Sequence, residues 1–276
     1  MHAACPVVLT GGPNDSNSSR PVTGTAGAAE TASGPSGSAS APALGCAVPP
    51  IVAVLPQPPL LVPELATGAE AETAELRAAC REAAARLFAV TDEWVVVGAD
   101  PGGRATVGPG ARGSFTGFGA DVVVALDPAS TAPVDPDLPL PLLIAAWAGA
   151  GARMRGELVA PDAPPAECAE LGAALAGEDR ALLVVGDGAA THTEKAPGHL
   201  DERAGPFDAA VAAALRDADP AALAALDPGL ATELWAVGRA PWQVLAAAAA
   251  DRTWRGELLY SGAPFGVGYH VAVWTP

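Results

Sequence analysis

Three short runs of apolar, mostly β-branched residues constrain this chain most: IVAVL at 51–55, WVVV at 94–97 and ALLVV at 181–185. Each is too short for a buried helix, lacks the polar alternation of a half-exposed strand, and stops at Pro or Gly. Such runs read as strands covered on both faces, the usual condition of a parallel sheet. Helical spacing lies between them. Across 69–88, Leu76, Ala79, Cys80, Ala83 and Leu87 recur on one side. Further helices are expected at 142–150, 166–175 and 209–215, with another opened by Asp219-Pro220 and a long pattern over 231–250 divided by Pro241. DVVVAL at 121–126 reads as a third strand of the sheet, with others at 155–160 and 269–274, and 100–119 as a Gly-rich loop holding Phe115 and Phe118. Alternating strands and helices define an α/β fold with helices on both faces of an open sheet. Ligands of such sheets lie beyond the carboxyl ends of the strands. The loops after Leu55, Gly98, Leu126 and Val185 are therefore the places to look for chemistry.

Composition separates a leader from this domain. Residues 1–48 are mostly Gly, Ala, Ser, Thr, Pro and Asn, and are expected to be disordered because they bury too little apolar surface to offset ordering. Residues 49–276 carry the core. The leader lacks the basic and apolar regions of a secretory signal, and a start assigned too early would also account for it. No segment has the apolar length of a membrane span. With 31 acidic and 15 basic residues, a net charge of −16, the chain repels phosphate backbones, so nucleic acid is not an expected partner. Cys5, Cys46, Cys80 and Cys168 form no CxxC pair, which fits a reduced, cytoplasmic protein without a zinc cluster.

Few residues carry obvious chemistry. His192 and His199 occupy a polar loop, THTEKAPGHL, after the third apolar run; the plain reading is exposed loop histidines, the functional one acid–base work. His270 alternates with apolar residues and reads as structural. Gly186-Asp187-Gly188 follows a strand, yet GxGxxG and GxxxxGK[ST] are absent, which argues against a nucleotide. Glu233 sits on a helix whose other side is apolar, the position of a solvent-facing residue. Ser114 and Ser261 lack a G-x-S-x-G elbow, which disfavours a serine hydrolase of that type.

Together, LPQPPLLVPEL at 55–65, VVGDGAATHTEKAPGHLDERA at 184–204, the following PFD, ELWAVGRAPWQVLA at 233–246 and GAPFGVGY at 262–269 resemble the subunit-B family of class III extradiol ring-cleavage dioxygenases, in its Ala- and Pro-rich, actinobacterial-type branch. The resemblance implies a nucleoside-phosphorylase-like three-layer αβα sandwich with a mostly parallel or mixed sheet. It also implies non-haem Fe(II) held by two histidines and a glutamate, open to a catecholic substrate and O₂. On this sequence the first metal histidine corresponds to Gln57, the second falls near Asp100, and Glu233 matches the glutamate. His192 matches the acid–base histidine, with Asp187 beside it as an acid–base or orienting group. A Gln/Asp/Glu set is oxygen-rich and suits Mg or Mn better than Fe(II). Two expectations therefore stand. One is a dioxygenase acting on a small catechol-like molecule; the other is a catalytically degenerate relative that binds a small ligand or peptide. A hydrolase or transferase using Asp187 and His192 is a third, weaker reading, and homo-oligomerisation is left open.

Overall fold

Strand residues divide by parity, and that division builds the molecule. In the computed structural model, which describes Pro50–Pro276, Val52 and Val54 of β1 (Val52–Leu55) face one side while Ala53 and Leu55 face the other. The same alternation holds in β2 (Glu93–Ala99): Val95 and Val97 join the first core, Trp94 and Val96 the second. Because both faces are buried, helices must cover both. On one side lie α1 (Glu70–Phe88) and α2 (Leu140–Ala148), through residues such as Leu76, Cys80, Leu142 and Ile144. On the other lie α3 (Pro165–Leu175), α4 (Ala204–Asp217), α5 (Pro220–Ala224) and α7 (Arg239–Ala248), the last preceded by α6 (Pro228–Glu233). The result is the expected three-layer α/β sandwich.

The central sheet has seven strands in the order β3-β6-β2-β7-β1-β9-β8. Four of them, β6 (Arg153–Val159), β2, β7 (Ala181–Val185) and β1, run parallel. Antiparallel strands close both margins: β3 (Ala105–Val107) beside β6, and β9 (Tyr269–Thr275) followed by β8 (Arg255–Gly262) beside β1. The sheet is thus mixed, parallel in its interior.

Several expectations needed correction. The 100–119 stretch is more than a loop: it contributes β3 and also β4 (Arg112–Ser114). DVVVAL does not enter the central sheet. Its core, β5 (Val123–Ala125), pairs with β4 in a separate two-stranded ribbon, and Val123 is exposed. Its valines suit any strand, and sequence pattern does not name the partner. The 255–262 strand escaped notice because an edge strand that is half exposed lacks a clean apolar run. The break in the 231–250 pattern lies before Pro241, which instead occupies the first turn of α7, where a missing N–H costs nothing. The chain turns at Trp235, which has φ +57°, and the Ala236 N–H returns to the Ala231 carbonyl. This is the geometry of a helix C-terminal cap that normally takes glycine.

The expectation for the leader falls outside the described residues. Cys80 and Cys168 are free thiols, both buried. No helix among the described residues is long and apolar enough to cross a membrane.

Candidate functional site

Parallel pairing brings two of the predicted residues together. Leu55 of β1 lies opposite Val185 of β7. Gln57 and Asp187 each follow their strand by two residues, so they emerge side by side at the carboxyl edge of the sheet. The Gln57 N–H donates to Asp187 Oδ1 at 2.7 Å. The Gln57 side-chain oxygen is buried without a hydrogen-bond partner. Burial raises Asp187 from 3.8 to about 7, the Gln57 amide pulls it down, and the nearby Asp208 carboxylate pushes it up. Near neutrality Asp187 is therefore a carboxyl group poised between its acid and its anion.

Asp187 borders a cavity of about 390 Å³ whose other walls include Pro161, Ala190, Pro197, Ala231, Trp235 and Val267. Most of that lining is apolar. Trp235, held outward by its left-handed backbone, is 56% exposed and forms part of the wall. A bulky residue in that conformation costs about 1–2 kcal/mol, and such strain concentrates where a side chain must be presented to a ligand. Asp162 also lines the cavity but is solvent-exposed. Asp187 is the acid in the interior.

The remaining predicted ligands are not drawn to this point. Asp100 directly follows β2, and its carboxylate accepts the Gly102 N–H of its own turn at 2.8 Å. Glu233 is exposed and forms an ion pair with Arg203 at 2.7 Å, an arginine that also binds Asp201. Among the described residues no group of three or more His, Cys, Asp or Glu is arranged to hold a metal ion. Fe(II) of this type needs imidazole nitrogens beside a carboxylate with free lone pairs. Gln57 supplies an amide, Asp100 is committed to its turn, and Glu233 to a surface arginine. These residues do not fit an iron centre.

His192 goes elsewhere. Its Nε2 meets Asp208 Oδ2 at 2.5 Å, and Asp208 Oδ1 accepts the Ala189 N–H at 3.1 Å. His270 Nε2 lies 3.4 Å from the same Oδ1, while its Nδ1 pairs with the Ser261 hydroxyl at 3.0 Å. Asp208 projects from α4 on the buried side shared with Val211 and Leu215. Room for its carboxylate comes from two glycines: a Cβ on either Gly188 or Gly268 would overlap it. His270 shares its side of β9 with Ala272 and Trp274, facing α4, and meets the Trp242 ring edge-on at 6.0 Å. His270 is thus buried, as a structural residue would be, yet it belongs to a polar cluster. Asp208, His270 and Ser261 were missed as a group because no local pattern joins them. The available signal was the pair of glycine-flanked segments, GDG and GVG, which face a common carboxylate.

Comparison with family models finds no match, and comparison with curated proteins finds none. Among solved structures, the crystal structure of an uncharacterized protein from Escherichia coli K12 is similar to this one. The similarity covers 82% of this chain and 99% of that one, with a TM-score of 0.49 and 15% identity.

Proposed function

We propose that this protein binds a small, mainly apolar ring compound bearing a hydroxyl, of the catechol or phenol type, in the cavity beside Asp187. The observation that carries the reading is an apolar cavity at the carboxyl edge of the sheet with one poised carboxyl group inside it. Apolar walls supply affinity through buried area, and one convergent polar group sets orientation. Asp187 donates a hydrogen bond as the acid and accepts one as the anion, so it can serve either partner of a ring hydroxyl. Trp235 offers a flat face for the ring. The likeness of 55–65 and 184–204 to extradiol dioxygenases supports the ligand class, and the misfit of Gln57, Asp100 and Glu233 to iron favours binding over ring cleavage.

Titration of tryptophan fluorescence with catechol and with 4-methylphenol tests this, using protein purified without chelator and assayed for metal. Saturable quenching, lost in Trp235→Phe and weakened in Asp187→Ala, is expected, with substoichiometric iron. Absence of saturable binding by either compound overturns the reading. Stoichiometric iron with catechol-dependent O₂ uptake would replace it with the dioxygenase.

A further inference from the structure

The cluster around Asp208 opens on a second pocket, of about 330 Å³, lined by His192, Gly205, Asp208, Ser261, Ala263 and His270. It shares no lining residue with the Asp187 cavity. We infer that this pocket is a separate acyl-transfer site in which Ser261 is the nucleophile, His270 its base and Asp208 the carboxylate whose charge stabilises the protonated base, with a small ester as substrate.

The argument rests on the order of the contacts. Ser261 and His270 are direct cross-strand partners of β8 and β9, so the backbone fixes hydroxyl against imidazole. Ser261 is exposed; His270 and Asp208 are buried. In the tautomer that carries its proton on Nε2, the atom 3.4 Å from Asp208 Oδ1, Nδ1 accepts the Ser261 proton at 3.0 Å. His270 Nε2 makes no hydrogen bond, and the Asp208 carboxylate is the charged group that faces it, at 3.4 Å. Asp208 is itself held by the Ala189 amide and His192, so it has little freedom to swing away. A packing role explains the buried His270–Asp208 contact. It gives no reason for the relay to end on a hydroxyl at the solvent side of a pocket.

A nucleophile, a base and a carboxylate are recognised by geometry and not by motif, so the missing elbow does not weigh against this site. In the reaction the Ser261 oxygen attacks the ester carbonyl carbon as its proton passes to His270 Nδ1. The carbon–oxygen bond to the leaving group breaks, and the alcohol leaves with that proton. Water then attacks the acyl-serine, its proton taken by Nδ1; the acid departs and the proton returns to the serine oxygen. Gly205, in the first turn of α4, also lines the pocket, which puts the positive end of that helix near developing negative charge.

A fluorophosphonate probe with intact-mass and peptide mapping tests the site, alongside p-nitrophenyl acetate hydrolysis. One adduct per chain on Ser261 is expected, absent in Ser261→Ala, an exposed substitution that leaves the fold and catechol quenching unchanged. His270→Gln should slow labelling about 100-fold or more, the usual share of a general base. If that variant does not fold, labelling of the unaltered protein in H₂O and in D₂O decides: a rate slowed in D₂O supports transfer of the Ser261 proton as the bond forms, and an equal rate overturns the relay. No adduct, or one on another residue, overturns the proposal without touching the cavity reading.

Discussion

Replacing Asp187 with Asn should stabilise the protein, and increasingly so as pH rises. Asn keeps the shape and the oxygen that accepts the Gln57 N–H but carries no charge. Asp187 shifts from 3.8 to about 7 on folding, chiefly through burial. An acid whose folded value is raised binds its proton more tightly when folded; its favourable linkage is fully present below 3.8 and is lost as pH climbs to about 7. At ~1.36 kcal/mol per pH unit, the full penalty above pH 7 is ~4 kcal/mol, and the part accrued between pH 5 and pH 8 is ~2.7 kcal/mol. Asp187 borders a cavity that water can enter, so these are upper bounds and about half is a reasonable expectation. Urea unfolding at pH 5 and pH 8 measures the gap. Asp187→Asn should exceed the parent by ~1–2 kcal/mol more at pH 8 than at pH 5. An equal gap at both values, or one that shrinks as pH rises, would refute the assignment of a buried, raised carboxyl. A stabilising variant would also show that the protein keeps an acid there at a cost in stability, as binding and catalytic sites do.

Gly268→Ala forces a methyl into the Asp208 carboxylate and should cost about 1–3 kcal/mol by urea unfolding; in an Asp208→Ala background the cost should fall, and the double-mutant cycle reports the coupling. Arg239 is fully buried and donates to the Ala163 and Pro161 carbonyls and to Gln243. Arg239→Ala should lose about 3 kcal/mol or more, read as a lowered Tm, because two buried acceptors and a part-buried one lose their donor. Gln57→His should bring no stoichiometric iron by metal analysis after anaerobic loading, since Asp100 and Glu233 keep their present partners.

The layers were legible because they follow from burial on both faces: IVAVL, WVVV and ALLVV have no polar positions, and β1, β2 and β7 fall on them. What pairs with what was not. DVVVAL joins the short β4 just upstream of it in place of the sheet, and RGELLYSG, with Glu257 and Ser261 turned outward, hides its strand character. At the site, Asp187 was readable from its strand end. Asp208 was not, since an aspartate near a helix start ordinarily faces water, and only the absence of side chains at Gly188 and Gly268 allows it inside. Gln57, Asp100 and Glu233 were grouped by resemblance alone, and their spatial partners turn out to be Asp187, Gly102 and Arg203.

Two backbone segments serve both pockets. Asp187 and Ala190 border the large cavity while His192, two residues on, borders the smaller; Val267 and His270 divide in the same way. Hereditary change in either segment is therefore felt twice. An insertion between 187 and 192, or between 261 and 270, would shift both linings at once, whereas the 193–200 loop can lengthen without such a double effect. Lineages of this protein should vary the rim freely and preserve the length of those two segments, whichever of the pockets selection is acting upon.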